Sequence, residues 1–156
     1  MKYFTMDELI ASQTAKKRGI KNIPNEEQEL NLRALVGAVL DPLREHYGKP
    51  VYVSSGYRSE RLNRHVGGVT GSQHCKGEAA DIYSKGGKHE NYILGRLIVA
   101  LDAFDQVIFE NVGRNDLEPE WVHVSWRRTN DNRHVIMKKV KGKKGYAYLT
   151  RKELGL

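Results

Sequence analysis

Ser72-Gln73-His74-Cys75-Lys76-Gly77-Glu78-Ala79-Ala80-Asp81 is the stretch whose folding decides how this chain is built. His74 and Asp81 are an odd number of positions apart, so on one continuous strand their side chains would leave on opposite faces. Gly77, between them, supplies a turn, because a residue without Cβ tolerates the backbone that a tight reversal needs. The prediction is a loop ending at His74 and a short buried strand over 79–83 that carries Asp81. A second stretch, Glu120-Trp121-Val122-His123-Val124-Ser125-Trp126, reads as another strand. Alternation puts Trp121, His123 and Ser125 on one face and Val122, Val124 and Trp126 on the other. Two imidazoles and one carboxylate converge only if these two strands are brought together.

Upstream the period is helical. Thr5 and Glu8 form a capping box, and a short first helix runs from there past Leu9 and Ile10 to Lys16, Lys17 and Arg18, ending at Gly19. Asn25 caps a second helix, with Glu26 and Glu27 in its first turn and Leu32, Leu35, Val36, Val39 and Leu40 at helical spacing. Pro42 is expected to kink that helix or open a new turn. From Gly48 the pattern changes to β-branched and aromatic residues, Val51-Tyr52-Val53, followed by the turn Ser54-Ser55-Gly56. One or two helical turns fit residues 60–65, and the glycine-rich loop Gly67-Gly68-Val69-Thr70-Gly71 lacks the Lys-Ser/Thr ending of a phosphate cradle. A core helix is predicted over 91–103 and a strand over 106–109. Residues 134–140 and 146–149 are expected to pair as a terminal hairpin around Lys141-Gly142-Lys143-Lys144-Gly145. Helices early and a mainly antiparallel sheet late make the class α+β. The 156 residues suffice for one core and one domain, with a helical part over 1–47, the motifs over 48–126 and basic strands over 127–156.

Composition narrows the function classes. Cys75 is the only cysteine, so no intramolecular disulfide forms, and no run is apolar enough for a signal peptide or a membrane span. The expectation is cytoplasmic synthesis. The net charge of +7 is concentrated late, in Lys138, Lys139, Lys141, Lys143, Lys144, Arg151 and Lys152. Such a patch favours a polyanion or simply keeps the chain in solution. No helix-turn-helix, zinc-finger spacing or RNA-binding aromatic motif accompanies it, so nucleic acid is not an expected partner.

Histidine nitrogen and aspartate oxygen are both ligands that zinc accepts, and three protein ligands leave the open position that a hydrolytic metal uses. His74, Asp81 and His123 are therefore candidate zinc ligands. Cys75 is chemically suited too, but as the neighbour of His74 it projects away from it, and it reads as a small buried hydrophobe. His65, His89 and His134 stand in no motif.

Three blocks in order, Ser54-Ser55-Gly56-Tyr57-Arg58-Ser59 with Leu62-Asn63, Ser72-x-His74-x-x-Gly77-x-Ala79-x-Asp81, and Glu120-Trp121-x-His123, resemble the M15 family of zinc D-Ala-D-Ala peptidases. That family includes D-Ala-D-Ala carboxypeptidases, vancomycin-resistance dipeptidases and phage endolysins. The N-terminal segments Ser12-Gln13-Thr14-Ala15, Gly19-Ile20-Lys21-Asn22 and Asn31-Leu32 are similar to its compact phage and prophage branch. The resemblance implies a hedgehog/D-Ala-D-Ala peptidase-like fold, zinc held by His74, Asp81 and His123, and Glu120 as the general base. It further implies that Arg58 steadies the developing oxyanion or a substrate carboxylate, that Ser72 orients substrate, and that Trp121 walls the pocket. Glu120 does not share the face of His123 in a regular strand, so this role needs the chain near Pro119 to turn the carboxylate towards the metal.

The function so implied is hydrolysis of D-amino-acid-containing stem peptides of bacterial peptidoglycan by a monomer, as a D-Ala-D-Ala carboxypeptidase or an endolysin-type endopeptidase. An endolysin would reach the wall through a holin, and its basic C-terminus would draw it to an anionic envelope. A different class is a cell-wall binding or structural module that retains zinc without turnover. The presence of both Glu120 and Arg58 argues against that module, which needs neither a base nor an oxyanion clamp.

Overall fold

Thr5 caps the first helix, α1 (Met6–Ile10), as expected: its hydroxyl accepts from the Glu8 amide while the Glu8 carboxylate accepts from the Thr5 amide. The helix does not continue to Gly19. Ala11 leaves it in an extended conformation, and the Ser12 hydroxyl caps a second helix, α2 (Gln13–Arg18), by accepting from the Ala15 amide. A serine that can cap competes locally with helix continuation, which is why one expected helix is two. The computed structural model describes residues 1–156.

Asn25 caps α3 (Glu26–Leu35), which runs through a π-helical turn, Val36–Leu40, into α4 (Asp41–Tyr47). In that turn the Asp41 amide bonds back five residues, to the Val36 carbonyl. The widened turn lies just ahead of Pro42, whose ring would crowd the carbonyl four residues earlier in a regular helix. There follow β1 (Tyr52–Ser55), α5 (Glu60–His65), a 3₁₀ turn (Gln73–Lys76), β2 (Ala79–Tyr83), α6 (Lys88–Leu101), β3 (Gln106–Val112), β4 (Trp121–Ser125), β5 (Val135–Val140) and β6 (Ala147–Tyr148).

The strands form one sheet in the order β1-β2-β4-β3-β5-β6, antiparallel throughout except for the parallel pair β3 and β5. This is a small single-domain α+β fold with a mostly antiparallel sheet. The expected terminal hairpin forms: Met137 stands opposite Tyr148 and Lys138 opposite Ala147. No helix is long and apolar enough to cross a membrane.

Alternation gives the sheet two different faces. Ala80, Ile82, Val107, Phe109, Val122 and Val124 are buried with Leu32, Leu35, Leu40 and Leu43 of the long helix and Leu94 and Ile98 of α6 in one core. Each large apolar side chain removed from water there contributes about 1.5–3 kcal/mol. The opposite face carries Asp81, Ile108, Glu110 and His123 and lines an open groove. The site is thus built on the strands whose other sides anchor the core, so its backbone positions are rigidly held.

Candidate metal centre

Asp81 on β2 and His123 on β4 are register partners, so their side chains leave the sheet side by side. His123 Nδ1 is 3.0 Å from Asp81 Oδ1. His74 comes from the 3₁₀ turn, where the Ser72 hydroxyl accepts from the His74 amide, and its Nε2 is 3.4 Å from the same carboxylate oxygen. Gly77 closes that turn at φ +75°, and the chain then enters β2. One ligand atom from each of the three residues lies within 4.8 Å of the others.

The protonation pattern identifies what belongs between them. His74 Nδ1 lies 2.7 Å from the Gly56 carbonyl oxygen. A carbonyl only accepts, so Nδ1 carries the proton and Nε2 turns a lone pair towards Asp81. Burial pushes the His74 pKa down and keeps the ring neutral. Burial pushes Asp81 the other way, but the hydrogen bond from His123 and the closeness of both imidazoles outweigh it and hold the carboxyl well below the usual range. A carboxylate and two imidazoles, one with its proton committed elsewhere, converge on a space that a cation fits. The carbonyl behind His74 is the kind of outer partner that orients a metal-binding imidazole.

Arg58, Ser72 and Trp121 line the groove beside His74, Asp81 and His123. The Arg58 guanidinium donates to the Asn63 amide oxygen from NH1, while its buried Nε has no partner. Glu120 is not among the groove-lining residues. Its carboxylate is ion-paired with Lys141 at 2.6 Å and accepts from the Asn111 amide at 3.1 Å. Glu120 lies in a bend just before β4, and the partners that hold its carboxylate are Lys141 and Asn111.

Glu110, two residues beyond Ile108 on β3, lies in the groove instead. It is only 7% exposed, and its carboxylate makes no hydrogen bond. Burial raises its pKa, with His123 opposing and Asp81 adding to the rise. A buried carboxylate without a partner is costly to stability, which makes Glu110 a candidate functional group beside the three converging residues. The strand expected over 106–109 stops one residue short of Glu110, whose only signal in the sequence is that it continues the alternation phase of Gln106 and Ile108.

A family model described as Peptidase M15 matches residues 2–125. The chain belongs to the M15 peptidase family. It is therefore a peptidase of the D-Ala-D-Ala carboxypeptidase type in the general sense. No curated protein was found to match it. The matched span ends with β4, whereas Met137, Lys139 and Tyr146, which also line the groove, come after it. Cys75 of this M15 peptidase lines a separate polar cleft with Asn25, Arg64 and Lys76.

Proposed function

We propose that this M15 peptidase is a zinc-dependent hydrolase of D-amino-acid-containing stem peptides of bacterial peptidoglycan, with Glu110 as its general base. The observation that carries this reading is the convergence of His74, Asp81 and His123 in a groove that also holds an unpaired, buried carboxylate. Zinc held by those three residues would polarise the scissile carbonyl and acidify the attacking water.

The rest of the chemistry belongs to side chains. Burial raises the proton affinity of Glu110, which suits it to take the water's proton and then to pass it to the leaving amine. Arg58 brings a permanent charge and a partnerless Nε to the groove, which suits it to a developing oxyanion or a substrate carboxylate. Trp121 offers an apolar wall. The Ser72 oxygen is occupied by the His74 amide, leaving its hydroxyl proton for a substrate carbonyl. Peptidoglycan is the partner this reading implies, and the exposed lysines of the β5–β6 turn suit attraction to an anionic envelope.

The test is digestion of purified peptidoglycan by the zinc-loaded protein, with the fragments identified by mass spectrometry and Glu110→Gln run beside it. Fragments released by the unmodified protein alone support the reading and identify the bond. Bound zinc without any product from several wall chemistries would favour a non-catalytic wall-binding module.

A further inference from the structure

Tyr146 follows the left-handed Gly145, φ +78°, at the end of the lysine-rich turn between β5 and β6. Directly opposed residues of an antiparallel pair leave the sheet on the same side. Met137 is opposite Tyr148, and continuing that register sets Tyr146 opposite Lys139. Met137, Lys139 and Tyr146 accordingly line the groove with His74, Asp81 and His123.

Two lysines brace the turn that leads to Tyr146. The Lys139 ammonium donates to the Lys143 carbonyl at 2.8 Å, and the Lys141 ammonium pairs with Glu120 at 2.6 Å. Tyr146 itself is 53% exposed, and its hydroxyl makes no hydrogen bond within the protein. Tyr146 shares the groove with Glu110 and Asp81, and burial of part of the ring, followed by those two charges, raises its pKa, so the phenol keeps its proton. A protonated phenol without a partner, facing a ligand cluster from a braced turn, is a donor that awaits an acceptor.

We propose that Tyr146 is a catalytic residue whose hydroxyl donates a hydrogen bond to the scissile carbonyl oxygen as that oxygen gains negative charge, from the groove wall built by β5 and β6. This rests on the peptidase reading above. No bond to Tyr146 forms or breaks, and its proton stays on the phenol. Because the M15 match ends at residue 125, this donor belongs to the part of the groove that the family-defining segment does not supply.

The experiment compares Tyr146→Phe and Tyr146→Ala with the unmodified protein on the peptide bond that the latter cuts. Steady-state kinetics is paired with calorimetric binding of a phosphinate analogue built on that bond, and with zinc content. The expected result for Tyr146→Phe is a kcat lower by on the order of 10²-fold, KM within about threefold, a similar loss of phosphinate affinity, and unchanged zinc. Full kcat and phosphinate affinity in Tyr146→Phe would overturn the proposal, even if Tyr146→Ala raised KM, since the ring would then be only a wall. Hydrolysis by no form, unmodified protein included, would remove the peptidase reading first and the proposal with it.

Discussion

The Glu120 amide donates to the Glu110 carbonyl at 2.9 Å, so two glutamates are joined through their backbones while their carboxylates lie in different environments. Glu110 is buried in the groove without a partner, and Glu120 is tied to Lys141 and Asn111 just ahead of β4. The pair lets the base be assigned by substitution. Glu110→Gln is expected to lower kcat by about 10²–10⁴-fold, the usual contribution of a general base. Glu120→Gln is expected to retain activity within about tenfold and to cost no more than about 1 kcal/mol, because its salt bridge is solvent-exposed. Kinetics of both variants on one peptide substrate checks this; the reverse ranking would restore Glu120 as the base.

Glu110→Gln has an expected effect on stability with the opposite sign. Burial raises the folded-state pKa of Glu110 above its ordinary 4.5. The folded state therefore binds the proton more tightly than the unfolded chain, and stability falls as pH rises from that ordinary value through the raised one. Above this window the metal-free protein holds a buried charge that a glutamine would not carry. Thermal melts of the metal-free proteins at pH 7 should give a higher Tm for Glu110→Gln, with the gap closing at acid pH. A lower Tm for the variant at pH 7 would mean that the carboxylate has a stabilising partner.

Metal loading should appear in stability as well as in activity. A ligand that binds only the folded state stabilises it by about 2.7 kcal/mol at one hundred times its Kd. Dialysis against a chelator is expected to lower the Tm and abolish hydrolysis, with both restored by zinc. His123→Ala and Asp81→Ala should lose bound zinc by elemental analysis, since each removes one of three ligands. Retention of stoichiometric zinc in both variants would place the metal elsewhere.

Much of this arrangement was legible in local sequence, because it depends on short-range rules. The Thr5–Glu8 box, the Asn25 cap, the β2 strand and the turn at Gly77 each follow from a few neighbouring residues. The convergence of His74, Asp81 and His123 followed from residue chemistry together with the family resemblance. What could not be read were relationships between strands distant in sequence. The family resemblance points to Glu120 as the base, whereas the presence of Glu110 in the groove depends on the register that sets Ile108 opposite His123. The parallel pairing of β3 with β5 is equally non-local, and it brings Tyr146 to the groove. The break between α1 and α2 is local but not decided by sequence alone: Ser12 can continue a helix or cap one, and here it caps α2.

Gly77 offers a test of how the turn between His74 and β2 is held. At φ +75° any side chain is strained, and a Cβ there would lie 2.4 Å from the Gln28 carbonyl of α3. Gly19 has a similar φ of +64° but open space around it. Gly19→Ala is expected to cost about 1–2 kcal/mol, the left-handed penalty alone. Gly77→Ala should cost clearly more and should also weaken zinc binding, because relief of the clash moves the turn that carries His74. Urea denaturation of both variants measures the difference, and equal costs would mean that α3 yields freely.

Asp105 should govern the acid limit of the fold. It is fully buried, and it accepts from the Arg133 amide and guanidinium, the Gln73 amide and the Ser125 hydroxyl. Burial pushes its pKa up, but the hydrogen bonds from Arg133 and then Gln73 prevail and hold it well below the ordinary 3.8. A depressed carboxylate contributes stability that is fully present above its unfolded pKa and is lost as pH falls through the folded one. The wild-type protein is therefore expected to lose stability progressively below about pH 4, where the unfolded carboxylate begins to take up protons. Asp105→Ala should cost about 3–5 kcal/mol at pH 7, since Gln73 and Ser125 lose their acceptor and Arg133 its counter-charge. It should also flatten the acid limb of the stability curve. Urea midpoints from pH 2 to 7 for both proteins check this, and parallel curves would show that another carboxylate sets the acid limit.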